Sequence, residues 1–224
     1  MKLEKDLVIA IDGPAGAGKS TVAKIIAEKL GYIYIDTGAM YRALTLKALS
    51  KDYDLEDEQK LGVLAESTDI KLVKAGEDNL VILDGEDVTE EIRDNKVSNN
   101  VSVVAKVPKV RKEMVRLQRN MAKSGGVVMD GRDIGTIVLP AADIKVFLTA
   151  SVEQRAQRRY DELIDKGEDV NLEQIKAEII RRDNIDKNRE VAPLTEAEDA
   201  IRVDTTKLDI GQVVEEILNI CQEV

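Results

Sequence analysis

The stretch LVIAIDGPAGAGKSTVAKIIAEKL, residues 7–30, constrains this chain more than any other. Gly13, Pro14, Ala15, Gly16, Ala17, Gly18, Lys19 and Ser20 fit the phosphate-binding loop pattern G-x-x-x-x-G-K-[ST] without a mismatch. The apolar run before the loop, from Leu7 to Ile11, reads as a buried parallel strand, and the run from Ser20 to Leu30 reads as the helix that follows. Each part has a chemical reason. Glycines let backbone N–H groups curl around phosphate oxygens where a Cβ would clash or forbid the φ values. The helix points its positive end at the anion. Lys19 supplies a mobile charge for β and γ oxygens, and Ser20 offers a hydroxyl to Mg²⁺.

The rest of the chain is acidic, which makes such a loop an exception within it. Asp and Glu number 43 against 33 Lys and Arg, a net charge of −10 over 224 residues. That balance argues against non-specific nucleic-acid or anionic-membrane binding, so an anionic substrate must be held by local Arg and Lys clusters. Histidine is absent, which removes His general bases and His-ligated metals; the single Cys221 leaves no intramolecular disulfide and no thiolate metal site. Hydrophobic content of 43% is enough for a packed core. No apolar run reaches the ~18 residues of a membrane span, and the opening MKLEKDLVIAI is too short and too acidic for a signal peptide. The expectation is a cytoplasmic monomer with neither nucleic-acid nor membrane partners.

Further along, residues 32–35 form a short β-rich run ending at Asp36-Thr37-Gly38-Ala39-Met40-Tyr41-Arg42. Thr37 is placed to cap a helix running to about Lys51, and Arg42, just beyond a strand's carboxyl end, is placed for an anion contact. Residues 56–95 break the strand–helix alternation. A charged helix is followed by β runs at 69–73 and 80–83 around the loop 74–79, then a turn at 84–87 and a capping-box pattern at 87–90. This reads as a small antiparallel insertion with too little apolar mass to fold alone. Residues 96–124 read as helix divided by Pro108, with Val110, Met114, Leu117 and Met121 spaced for the core.

Residues 125–130 form a second buried strand ending in Asp130, the pattern expected of an acid near Mg²⁺. Arg132 and Asp133 follow between glycines, a fixed cation and carboxylate side by side that suits ligand binding. A third strand, 143–149, leads to a helix capped by Ser151 and carrying Arg155, Arg158 and Arg159 on one face. Asn171 caps a long helix on which Arg182, Asp186 and Arg189 share a side while Lys187 points elsewhere. Two basic helices closing over a nucleotide site would explain how an acidic chain handles polyphosphate. A last strand at 201–204 and an amphipathic helix at 211–223 complete the pattern. The expected fold class is α/β: a five-stranded, parallel, doubly wound sheet with nucleotides at the strands' carboxyl ends, a small antiparallel insertion and a helical lid. In one domain, the core is 1–55, 96–154 and 190–224, the insertion 56–95 and the lid 155–189.

The combination GPAGAGKST, DTGAMYR, the hairpin insertion, DGRDIGTIV and RRDNIDKNREVAPL resembles bacterial cytidylate kinases, of the nucleoside monophosphate kinase fold, over essentially the whole chain. The resemblance implies Mg²⁺-dependent phosphoryl transfer from ATP to CMP or dCMP. It matches the family's phosphate-contacting residues to Thr37, Arg42, Arg132 and Arg189, its base-reading residues to Ser102, Arg111 and Asp133, and its sugar-contacting pair to Arg182 and Asp186. The ATP-binding set is then the loop, Thr21 and Arg158, with Ser20 and Asp130 for the metal and Lys19, Arg132, Arg182 and Arg189 as the catalytic cations. Where relatives often carry arginine, this chain has Lys187, which cannot make the forked, planar contact of a guanidinium.

Two other readings stand beside this one: a kinase of the same fold acting on UMP, AMP or shikimate, and a P-loop regulatory switch binding GTP. Against the switch, the chain lacks an Asn-Lys-x-Asp guanine-reading stretch, since Asn95-Lys96-Val97-Ser98 lacks the final acid.

Overall fold

A computed structural model describes residues 6–75 and 78–223. Its centre is a parallel sheet of β1 (Val8–Asp12), β2 (Ile33–Asp36), β6 (Val127–Gly131), β7 (Ile144–Thr149) and β8 (Ile201–Asp204), in the order β2-β6-β1-β7-β8. Both faces of β1 are buried, which is why it reads as a continuous apolar run rather than an alternating one. Ile9 and Ile11 pack against α1 (Lys19–Leu30) and α8 (Ile210–Gln222), whereas Ala10 faces Ile35, Met129 and Ile134 on the other side. The strand–loop–helix unit therefore sits mid-sheet, with the loop at the carboxyl end of its strand.

Gly13 is where the chain leaves β1. Its φ of 147° and the collision a Cβ would make with the Leu148 carbonyl both require glycine there. The crossover from β1 to β2 is α1, ended by Gly31 in the left-handed conformation.

Outside the sheet, α2 (Thr37–Ser50), α3 (Glu58–Glu66), α4 (Asn95–Ala105) and α5 (Pro108–Met121) share one apolar cluster with the antiparallel sheet β3 (Ile70–Ala75), β4 (Asp78–Leu83) and β5 (Glu86–Asp87). Met40, Leu44, Leu61, Ile92 and Met114 are buried in it. The insertion thus gains the apolar mass it lacks by sharing a core with α2, α4 and α5. Pro108 occupies the first turn of α5, where a missing N–H costs nothing.

Several local expectations are corrected. Asp36, not Thr37, caps α2 by accepting from the Ala39 amide at 2.8 Å, which leaves the Thr37 hydroxyl to donate to the Asp130 carbonyl. A carboxylate already at the end of β2 reaches the first-turn amides better than the residue after it. Strands β3 and β4 extend through Ala75 and from Asp78, beyond the limits expected for the loop 74–79; residues 76 and 77 lie outside the described residues. Asp87 makes a turn with Thr89 instead of a capping box, and only a 3₁₀ turn at Glu91–Arg93 follows before Asp94 caps α4.

The remaining unit is a hairpin of α6 (Val152–Asp165) and α7 (Leu172–Asn188), capped by Ser151 and Asn171 and held by a small cluster of Ala156, Leu163, Ile175 and Ile179. Arg155 does not join Arg158 and Arg159 over the cleft. It is buried, pairs with Asp183 at 2.7 Å, and donates to the carbonyl of Ala15 at 3.0 Å, bracing the hairpin against the glycine loop. The hairpin also leans on α4: Arg159 donates to Asn95 at 2.8 Å and Arg181 to the Asn99 carbonyl at 2.7 Å. Among the described residues no helix is long and apolar enough to cross a membrane.

Removing one member of a buried ion pair strands the other charge. Arg155→Ala is expected to lower unfolding free energy by about 3–5 kcal/mol, whereas Arg155→Met with Asp183→Leu recovers most of it. Urea denaturation measures both.

Candidate active site

The carboxyl ends of β1, β2 and β6 converge beneath the α6–α7 hairpin on a cavity of about 1300 Å³. The glycine loop forms its floor, from Ala15 to Thr21, with Lys19 and Ser20 among the lining residues. Gly13 and Pro14 lie just outside, and the Pro14 carbonyl accepts a 2.8 Å hydrogen bond from Lys19 Nζ. Burial, then the nearby Arg132, pulls the Lys19 ammonium well below the usual lysine range.

Asp130 stands opposite the loop because β6 lies between β1 and β2, in register with Asp36. Its Oδ2 accepts from Ser20 at 3.0 Å and its Oδ1 from the Tyr34 hydroxyl at 2.9 Å. Burial, then the Asp36 charge, pushes its pKa up. One hydroxyl and one carboxylate, side by side at a phosphate loop, are a donor set suited to a hard cation that shares its remaining positions with phosphate and water.

The structure brings the sequence-selected cations into this one cavity, and four of the arginines are tied to carboxylates. Arg42 pairs with Asp36 at 2.9 Å and Arg132 with Asp186 at 2.9 Å. Asp133 holds Arg111 through Oδ2 and Arg189 through Oδ1 at 3.3 Å, and Arg189 also donates to the Ala192 carbonyl at 2.6 Å. Arg132 and Asp133, adjacent in sequence, both line the cavity and take different partners. Although burial works against its charge, Arg132 and then Arg189 hold the Asp186 carboxyl below the usual range. Arg182 differs from the rest: its Nε is buried with no hydrogen-bond partner, and burial, then Arg132, pulls its pKa down to about 10.

Thr37 and Ser102 also line the cavity, whereas Lys187 is exposed on α7 outside it. Arg158 lies beside Gly18 and donates to Thr205 Oγ1 at 3.1 Å and to its carbonyl at 2.6 Å. Sequence reasoning missed Thr205, Leu208 and Ile210, which wall the cavity beyond Arg158. No local pattern marks them; only the β7–β8 pairing brings them there. Tyr34 was missed too, although period two along β2 places it on the same side as Asp36. A third omission is Asp12. Each of its oxygens accepts a 2.7 Å bond, from the Ile134 and Gly135 amides, and burial, with some help from Asp133, raises its pKa to about 6.

A phosphate loop mid-sheet, an acid facing its hydroxyl and a guanidinium cluster under a helical hairpin define a P-loop phosphotransferase. A family model for cytidylate kinase matches residues 9–223. Cytidylate kinases of Bacillus pumilus and Bacillus subtilis are 61% identical over 222 residues and 57% over 221, covering 99% of this chain and 99% of each relative. Among solved structures, a gluconokinase from Sinorhizobium meliloti has a TM-score of 0.50 at 16% identity, covering 97% of this chain and 94% of its own. A protein from Eubacterium ventriosum reaches 0.52 at 12%, covering 98% and 100%; these two likenesses concern the fold alone. The chain belongs to the cytidylate kinase family, and its activity is that of a nucleoside monophosphate kinase acting on cytidylate. The regulatory-switch alternative falls with that assignment.

The raised Asp12 pKa carries a sign. A carboxyl whose folded pKa lies above its unfolded value near 3.8 adds stability below that value and loses it as pH rises through about 6. Between pH 4 and 6.5 the native protein is expected to lose about 2 kcal/mol relative to Asp12→Asn. Parallel denaturation curves across that window measure the difference.

Proposed function

We propose that the cleft binds ATP over the glycine loop and CMP or dCMP against Arg42, Ser102, Arg111 and Asp133, and transfers the γ-phosphoryl group between them. The observation that carries this is the shared cavity: Lys19 and the guanidiniums of Arg42, Arg132, Arg182 and Arg189 line one space in a chain that is otherwise acidic.

Phosphoryl transfer asks little covalent chemistry of a protein; positioning and charge neutralisation supply most of the acceleration. Arg182 is the clearest cation for an incoming phosphate, because its Nε has no competing partner to leave. Arg132 would exchange part of its contact with Asp186 for phosphate, while Asp186 and Arg182 face the acceptor's sugar. The acceptor phosphate is anionic at neutral pH, so no histidine base is needed. Ser20 and Asp130 would hold Mg²⁺, whose charge would neutralise phosphate oxygens next to Lys19. Arg158, Thr205, Leu208 and Ile210, which line the same cavity, would border the ATP on this reading.

Cytosine presents an N4 amino donor, for which a carboxylate is the matching partner. Asp133 would accept from it, whereas the O4 of uracil would meet that carboxylate acceptor to acceptor. An unpaired buried acceptor costs about 1–3 kcal/mol, which corresponds to about a 5- to 150-fold preference for CMP over UMP.

Segment 155–189 acts as the lid on this reading and segment 56–95 as the acceptor-binding part. They meet where Arg159 donates to Asn95, and Arg181 adds a bond from the lid to the Asn99 carbonyl in the neighbouring core helix α4. A closed lid excludes water, which would otherwise intercept the phosphoryl group.

An ADP-release assay with ATP and each of CMP, dCMP, UMP and AMP tests the reading. CMP and dCMP should be phosphorylated fastest, and equal rates with UMP would refute the role of Asp133. Arg182→Met is expected to lower kcat at least about tenfold while raising ligand-free stability by about 1 kcal/mol, since it removes an unsatisfied buried donor. Loss of stability with unchanged kcat would make Arg182 structural.

A further inference from the structure

Asp133 stands at the N-cap position of a five-residue π-helical turn, Ile134–Val138, with φ −150° and ψ 30°. An aspartate in that place ordinarily folds back to accept from the amides of its own turn. Asp133 makes no such bond. Its carboxylate faces away, to Arg111 and Arg189.

The first two amides of the turn are already taken. Ile134 donates to one oxygen of Asp12 and Gly135 to the other, both at 2.7 Å, across 122 and 123 residues of sequence. Asp12 closes strand β1 immediately before Gly13 and is 5% exposed. A helical turn begins with amides that lack partners within the turn, and buried amides must find acceptors somewhere. Here another strand supplies them, so the residue at the cap position keeps both carboxylate oxygens for the cleft.

We propose that Asp12 is a positioning residue for selection of the acceptor base. By accepting from the first two amides of the Ile134–Val138 turn, it removes the Gly135 donor to which Asp133 would otherwise fold back, and so keeps the Asp133 carboxylate aimed at the acceptor pocket. One side chain thereby ties the strand that carries the phosphate loop to the turn that reads the acceptor. The inference rests on Asp133 as the base-reading group, as proposed above.

Asp12→Asn preserves shape but presents an amide group to one of the two backbone donors, freeing it for Asp133. The test compares kcat/KM for CMP and for UMP in the native enzyme, Asp12→Asn, Asp133→Asn and the double variant. Asp12→Asn is expected to reduce the CMP-over-UMP ratio about fivefold or more, the lower end for an unpaired buried acceptor, and to raise KM for CMP more than KM for ATP. The double variant should show no further loss beyond Asp133→Asn. A crystal structure of Asp12→Asn should show an Asp133 oxygen about 3 Å from the Gly135 amide that Asp12 otherwise holds.

A merely structural role would depress turnover of CMP and UMP alike and leave their ratio unchanged. An unchanged ratio in Asp12→Asn, with the ratio lost in Asp133→Asn, overturns the inference alone. An unchanged ratio in Asp133→Asn overturns the base-reading role and the inference with it. Should Asp12→Asn fail to fold, Asp12→Ser, which keeps one acceptor, is judged by the same ratio.

Discussion

Buried charge must be paired, and the cleft of this chain is built around that requirement. A pocket for two polyanions needs guanidinium groups close together and shielded from water, an arrangement that repels itself in the ligand-free state. The chain answers with aspartates at strand ends and on α7. Asp36 holds Arg42, Asp186 holds Arg132, and Asp133 holds both Arg111 and Arg189. Only Arg182 among the sequence-selected catalytic arginines keeps a buried nitrogen without a partner. The acidic composition and the cationic cleft are therefore two sides of one solution.

The sheet makes this arrangement possible. Parallel strands put all their carboxyl ends on one edge, so Asp12, Asp36 and Asp130 arrive together although they are far apart in the chain. The α6–α7 hairpin brings Arg182, Asp186 and Arg189 from above. Its seat is set by Arg155, whose guanidinium touches Asp183 of the hairpin and the loop carbonyl of Ala15. The same side chain that steadies the hairpin thus steadies the floor of the cleft.

Much of this was legible in the residues. Buried runs such as LVIAI and GGVVM announce parallel strands, Pro108 and Asn171 mark helix starts, and the glycine loop marks the turn from β1 into α1. Spacing alone also put Arg182 and Asp186 on one face of α7, whereas Arg189, expected to continue that face, is the extended residue that ends the helix. What stayed hidden depends on contacts across the fold. Periodicity cannot say that Arg155 turns inward while Arg158 lines the cleft, because the three arginines of α6 share a face and only Asp183 distinguishes them. Nor can it reveal that Asp12 caps a turn 122 residues away or that Thr205 reaches Arg158. Asp36 displaced Thr37 as a cap for a local reason, visible only once the strand's end was placed.

The most direct test of the cleft's logic is a crystal structure with CMP and a non-hydrolysable ATP analogue bound together. If internal carboxylates hold the guanidiniums ready for phosphate, phosphate oxygens will lie about 3 Å from Lys19 Nζ, Arg132 and Arg182, with the Arg182 Nε now paired. Phosphates seated away from these groups, or Arg182 still unpartnered, would contradict it.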